Sequence, residues 1–174
     1  GSDGVIFTPW LAGERCPVDD RNVRAAFYNL SLSTTRAHMV RSVFEGVAFN
    51  ARWMLDAVEK FVRRPLGAIR FIGGGAASDV WCQIHADVLD RPVHRVEAPL
   101  LANVRGAALF ASMVLGEVQQ SQVPQLARID ATFEPQRANR AVYDELYREY
   151  PGLYHRQRKM YARLNGRKSA PQRA

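Results

Sequence analysis

Cysteine is scarce: among 174 residues only Cys16 and Cys82 carry thiols. Two lone cysteines without metal-ligand spacing exclude a disulfide framework and a cysteine-based metal knuckle, and they suit a reducing cytoplasm. Long apolar runs are missing too. With no stretch of about 18 apolar residues and nothing patterned as a signal peptide, neither a membrane span nor a secretory leader is expected. Acidic residues are absent from the tail: none follows Glu149, whereas Arg156, Arg158, Lys159, Arg163, Arg167, Lys168 and Arg173 do. The formal charge of +7 is therefore a tail property, because the body before it is close to neutral. Basic side chains near a helix C-terminus suit its dipole, which favours a solvated helix end over a polyanion site. The body also lacks the interleaved aromatic and basic residues that a single-stranded nucleic acid needs. His38, His85, His94 and His155 share no spacing that suits a metal or a catalytic triad, so each reads as a satisfied or exposed histidine.

What is present is enough apolar residue, 47% of the chain, to build one globular core. Residues 5–11 and 25–32 read as strands separated by a polar loop. A long helix follows over 35–63, in which Val40, Val43, Phe44, Val47, Ala51, Met54, Leu55, Val58 and Phe61 recur every three or four positions. Ser33 or Thr34 is placed to cap it, and Pro65-Leu66-Gly67 ends it. Next come a strand at 68–72, a helix at 78–90, a strand at 92–97 and a helix at 103–116. Residues 117–134 read as a loose linker, and two helical segments follow, 136–149 and 152–164, with Pro151 either kinking them or starting the second. Gly1 and Ser2 have the look of a cloning scar and are left out of the expected fold. Alternation of strands and helices after a strand pair implies a mixed sheet with helices on its faces.

The most informative stretch is FIGGGAASDVWCQIHADVL, residues 71–89. A strand, three glycines and a helix follow one another. Glycines let a backbone lie against a flat ligand or a phosphate, because no Cβ intervenes and positive φ is free. Ser78 can cap the helix, whose first N–H groups face the same turn. A tight strand-to-helix connection with no ligand explains the glycines alone equally well.

The surrounding residues favour the ligand. GGGAASDVWCQIHADVLDRPV resembles the adenosine-binding segment of the FGGY carbohydrate kinases, the family of xylulokinases, gluconokinases and glycerol kinases. AAFYNLSLSTTRAHMVRSVFEGVAF, residues 25–49, resembles that family's second signature, with His38, Arg41, Glu45 and Gly46 at its pattern positions. Residues 102–109, ANVRGAAL, are similar to its glycine-alanine helix start, and PWLAGERCP, residues 9–17, is similar to a loop of the xylulokinase branch. The signature's usual glycine after the second strand is Asn29 here, the residue that best tolerates left-handed backbone after glycine. The resemblance runs over about residues 4–117.

It implies an α/β fold: the C-terminal domain of an actin-like, ribonuclease H-like ATPase, a mixed sheet with flanking helices, truncated at its N-terminal strands. Residues 3–134 would be the nucleotide-binding C-terminal domain, and 135–174 its helical extension and basic tail. It further implies ATP and Mg²⁺ as cofactors, a small sugar or polyol as substrate, a cytoplasmic location, no nucleic acid, no membrane, and a homodimer as an open option. Gly74, Gly75 and Ser78 fall on positions that contact adenosine, with Gly73 shaping the turn. Trp81 and Gln83 are more readily core and backbone-bonding residues. Asn103 and Gly106 read equally as nucleotide contacts or as a helix cap and a close helix contact.

Phosphoryl transfer needs a carboxylate near the attacking hydroxyl and cations on the phosphates. The family's general base lies upstream of this chain, as do its phosphate-binding Thr-Gly turn and sugar-binding domain. No catalytic residue and no metal ligand is therefore assigned. Asp19 and Asp20 read as solvated turn residues, Asp79 as a partner of its helix dipole, and Glu45 as a buried architectural residue that needs an ionic or hydrogen-bonding partner. The other reading is a non-catalytic module that binds a nucleotide or a protein partner, with its basic tail on a polyanion.

Overall fold

The computed structural model describes residues 1–166; Arg167, Lys168 and Arg173 of the basic tail lie outside them. In chain order the first half holds β1 (Ile6–Thr8), β2 (Ala26–Tyr28), α1 (Arg36–Val62), β3 (Ile69–Phe71) and α2 (Asp79–Leu89). The second half holds β4 (Val93–Val96), α3 (Ala102–Val114), the single turn α4 (Val123–Leu126), β5 (Ile129–Phe133) and α5 (Arg140–Asn165). The chain divides into two compact units, residues 1–65 with residues 137 onward, and residues 66–136. No helix among the described residues is long and apolar enough to cross a membrane.

In the first unit β1 and β2 pair antiparallel, Ile6 opposite Tyr28 and Thr8 opposite Ala26. Both strands are shorter than their apolar runs. Pro9 has no N–H to continue β1, and Asn29 takes φ 62, the left-handed turn expected of it, with its amide donating to Gly4 O at 3.1 Å.

The cap of α1 is Thr35, not Ser33 or Thr34. Thr35 Oγ1 accepts from the His38 N–H at 3.2 Å, and His38 Nδ1 accepts from the Thr35 N–H at 3.4 Å, a reciprocal box with histidine in the glutamate position. Thr34 is spent one turn earlier, where its hydroxyl accepts from Ser31 N at 2.9 Å.

α1 lies directly on β1 through Gly46, where an added Cβ would stand 2.2 Å from Phe7 O. Beside it Glu45 is fully buried and has the partners that its burial demands. Arg41 Nε donates to it at 2.7 Å, Tyr143 Oη at 3.0 Å and Ser2 N at 3.1 Å. Ser2, with no exposed surface, also donates its hydroxyl to Val5 O at 2.6 Å. Ser2 is thus packed into the fold, its backbone N–H serving Glu45.

Of the two readings of Pro151, a kink within the helix or the start of a second one, the second does not hold: α5 is one helix with Pro151 inside it. Proline removes one intrahelical bond, but Tyr143, Tyr147, Tyr150, Tyr154 and Tyr161 form a stripe across it at helical spacing. Tyr150 meets Trp10 edge-on at 5.8 Å and Trp53 at 6.3 Å, and Tyr143 meets Phe49 at 6.1 Å. Packing of that size outweighs a single lost hydrogen bond.

The second unit is a three-stranded mixed sheet, β3 parallel to β4 and β4 antiparallel to β5. β5 corrects the reading of residues 117–134 as a loose linker. Its sequence, IDATF, alternates apolar and polar residues as a short strand does; the strand pairs with β4 along the main chain, and Arg95 donates to Asp130 at 2.8 Å. Cys82, Ala86 and Val93 form the core, with Phe71 and Phe133 packed against them. Cys82 gives its thiol to Ala76 O at 3.4 Å, and burial pushes its pKa up, so it is a packed group, not a nucleophile.

Candidate functional site

The glycine turn sits in the second unit, between β3 and α2. Gly73 has φ 82 and its N–H donates to Pro99 O at 2.9 Å, and a 3-10 turn runs over Gly74–Ala77. Ser78 caps α2 as expected, its Oγ accepting from Trp81 N at 3.3 Å. The hydroxyl keeps its proton for another acceptor.

The three glycines are not equivalent. A Cβ added at Gly73 or Gly74 would meet nothing within 4 Å, whereas at Gly75 it would stand 2.9 Å from the Trp81 ring. Gly75 is therefore needed to seat Trp81, while Gly73 and Gly74 present bare backbone to open space. This is the surface that a planar or phosphorylated ligand requires.

Beside the turn is a cavity of about 350 Å³ lined by Ala77, Ala98, Pro99, Leu100 and Leu101, with Arg95 and Asp130 among its walls. An apolar slot with a few polar groups suits a heteroaromatic base. Ala98 takes φ 45, a left-handed conformation that is uncommon for a residue with a Cβ. Arg95 is held between Asp79 and Asp130. This gives Asp79, at the start of α2, an ionic partner besides the helix dipole. The slot and its ion pairs were not read from the sequence, since Asp130 and Arg95 meet only through β5.

Trp81 and Gln83 have structural duties. Trp81 supports Gly75, and Gln83 Nε2 donates to Asp87 Oδ1 and to Glu134 O, each at 2.8 Å. Neither ordinary reading of Asn103 and Gly106 holds. Leu101 precedes α3 without any side-chain cap, and Gly106 has no neighbour within 4 Å of an added Cβ. Asp20 is a turn residue, accepting from Asn22 N at 2.9 Å and from the Tyr154 hydroxyl at 3.3 Å.

His85 packs behind the turn, its ring 4.5 Å from Phe71 and 5.7 Å from Trp81, with Nδ1 2.9 Å from Trp81 O. Burial lowers its pKa from 6.5, against a smaller opposing effect of the Trp81 carbonyl. The unfolded chain then takes up a proton that the folded chain refuses, so the stabilisation is complete above 6.5 and is lost as pH falls below it. The loss proceeds at up to about 1.4 kcal/mol per pH unit. Melting temperatures at pH 7.5 and 5.5 are expected to differ more for the parent chain than for His85→Phe. Equal differences would show that His85 does not carry the effect.

The model of the FGGY family of carbohydrate kinases, C-terminal domain, matches residues 1–115. The xylulose kinase of Staphylococcus epidermidis is 34% identical over 172 residues, 94% of this chain and 33% of that protein. The gluconokinase of Bacillus subtilis is 39% identical over 93 residues, 53% and 18% of the two chains. Among solved structures, the ligand-bound xylulose kinase from Lactobacillus acidophilus superposes with a TM-score of 0.83 at 29% identity, over 94% of this chain and 33% of that one. The chain spans about a third of the length of the curated relatives it matches.

Proposed function

Because the chain belongs to the FGGY family of carbohydrate kinases, we propose that its glycine turn holds the adenosine of ATP, in a protein that phosphorylates a sugar hydroxyl. Gly73, Gly74, Gly75 and Ser78 are the binding residues in this reading. In the same reading residues 3–134 are the nucleotide-binding domain and 135–174 its helical extension and basic tail. The observation that carries it is the bare backbone over Gly73 and Gly74 next to an apolar slot of base size. ATP supplies the γ-phosphoryl group, and Mg²⁺ neutralises the phosphate charge in such transfers. This chain's own part is to bind and orient: Gly73 and Gly74 admit the ligand closely, Ser78 offers its hydroxyl proton, and Trp81 fixes the turn from behind. Xylulose is the favoured sugar on sequence coverage, 94% of the chain against 71% and 53% for gluconokinases, with gluconate the alternative because a gluconate kinase structure covers 94% of the chain as well.

Gly74→Val is the direct test, because the new side chain enters open space. The melting temperature is expected to stay within about 2 °C of the parent, as for surface changes within about 0.5 kcal/mol. The dissociation constant for ATP, read by calorimetry, is expected to rise at least ten-fold. Unchanged nucleotide binding in a folded Gly74→Val chain would remove the site from this turn. The 174-residue chain incubated with ATP, magnesium and xylulose, gluconate, ribulose or glycerol is expected to form no sugar phosphate above background. Positioning of the sugar, which the rest of a kinase provides, is worth roughly 7–11 kcal/mol of barrier.

A further inference from the structure

The first unit contains a second, polar cavity of about 540 Å³, lined by Ala12, Gly13, Glu14, Arg15 and Arg21. We propose that Arg15 and Arg21 form a binding site for a phosphate monoester or inorganic phosphate. The site does not depend on the nucleotide reading, which concerns other residues and another unit.

The loop that holds the two arginines is pinned. Glu14 and Asp20 exchange both backbone hydrogen bonds, at 2.9 and 2.8 Å. In such an antiparallel pair the residues on either side point to the opposite face. Arg15 and Arg21 therefore share a face as diagonal neighbours, roughly 7–8 Å apart at their backbones and within reach of one anion for side chains of that length. Gly13, with φ 91, lets the two arms close, since a Cβ there would stand 2.7 Å from Arg21 Cα.

The only acid among the lining residues is already committed. Glu14 Oε1 accepts from Arg15 N at 2.7 Å and Cys16 N at 3.1 Å, and Oε2 accepts from Asn50 Nδ2 at 2.9 Å. Asn50 in turn takes the Trp10 indole N–H at 3.1 Å, which ties the loop to the aromatic core. Four other arginines of this unit have carboxylate partners, Arg41 with Glu45, Arg52 and Arg140 with Asp144, and Arg156 with Glu149, while exposed arginines such as Arg36 lack one among the described residues. Arg15 and Arg21 have none among the described residues, and both are exposed. Asp19, opposite Arg15, does not line the cavity.

Two guanidinium forks around one cavity suit a tetrahedral dianion, which offers three or four acceptor oxygens, better than a carboxylate, which one fork satisfies. A nucleic-acid track is excluded by the single pair of charges and by Asp19 and Asp20 beside it.

The test uses the 174-residue chain titrated with inorganic phosphate and, separately, with ribose 5-phosphate, each followed by NMR shift changes at low salt. Binding in the millimolar range is expected for at least one probe. It should weaken at least ten-fold in Arg15→Gln and in Arg21→Gln and vanish in the double variant, with melting temperatures unchanged. Ribose 5-phosphate binding more tightly than phosphate would show a sugar-phosphate site; equal binding would show a site for the phosphate group alone. An equal loss in the control Arg36→Gln, binding that survives the double variant, or no binding of either probe at 20 mM (about ten times the range expected for a weak site) would overturn the proposal.

Discussion

Gly46→Ala is expected to destabilise the chain by about 3 kcal/mol, the upper part of the range for overpacking a closed interior. For a chain of this size that lowers the melting temperature by roughly 6–12 °C. The cause is a single atom. A methyl group at position 46 would stand 2.2 Å from Phe7 O and 3.0 Å from Phe7 C, and backbone in a strand cannot rotate aside as a side chain can. α1 would have to lift from β1, and with it Glu45 would leave its partners. Gly67→Ala is the control, since an added Cβ there meets nothing within 4 Å, and its effect is expected to be neutral to slightly stabilising. A Gly46→Ala chain that melts within a degree of the parent would show that the close approach of α1 to β1 is not as described.

The second large effect is expected at Glu45. Glu45→Ala removes a carboxylate with no exposed surface and leaves Ser2 N and the Tyr143 hydroxyl as buried donors without their acceptor. Breaking one side of a buried ionic network costs about 3–5 kcal/mol. The lower end applies here, because Arg41 retains access to water: its side chain is 37% exposed. Tyr143 cannot compensate by ionising. Burial pushes its pKa up to about 12, with nearby Glu45 adding to the rise and Arg41 opposing it, so it stays protonated and a donor at neutral pH. Tyr143→Phe is expected to cost only about 1 kcal/mol, the net worth of a typical hydrogen bond. Thermal denaturation of the two variants settles the order: if Tyr143→Phe destabilises as much as Glu45→Ala, the carboxylate is not the hub of the network.

Sequence and structure agree where the cause is local. The long helix α1, the cap at Ser78, the left-handed Asn29 and the glycine turn all follow from residues within a few positions of one another, but the face that α1 buries runs through Ser42, Glu45, Gly46 and Phe49 and not along the expected apolar stripe, of which Leu55 alone is buried. The family was legible for the same reason, since its signatures are contiguous runs. Where contacts are distant in sequence, the reading failed or was silent. Pro151 marks a kink or a helix start by its own chemistry, but four tyrosines, Tyr143, Tyr147, Tyr150 and Tyr154, packed on Trp10, Phe49 and Trp53 keep α5 whole. Within residues 117–134 the alternation of Ile129, Asp130, Ala131, Thr132 and Phe133 is a strand signal that the linker reading passes over, and β5 is completed by the edge that β4 offers and by the charge that Arg95 offers Asp130. Ser2 looks dispensable until Glu45, 43 residues on, is found to need its backbone N–H.

The candidate sites divide in the same way. Spacing alone determined an α/β chain with a strand, a glycine turn and a capped helix in succession, and the resemblance of its contiguous motifs to a known family supplied the sugar-kinase membership. Backbone freedom and periodicity are properties of the local chain. Only the tertiary structure decided that Gly75 serves Trp81 while Gly73 and Gly74 stay open, that an apolar slot lies beside them, and that Arg15 and Arg21 line one cavity whose acid, Glu14, is already held by other donors. Those facts depend on which atoms fill the space next to a residue, and that is set by packing across the fold.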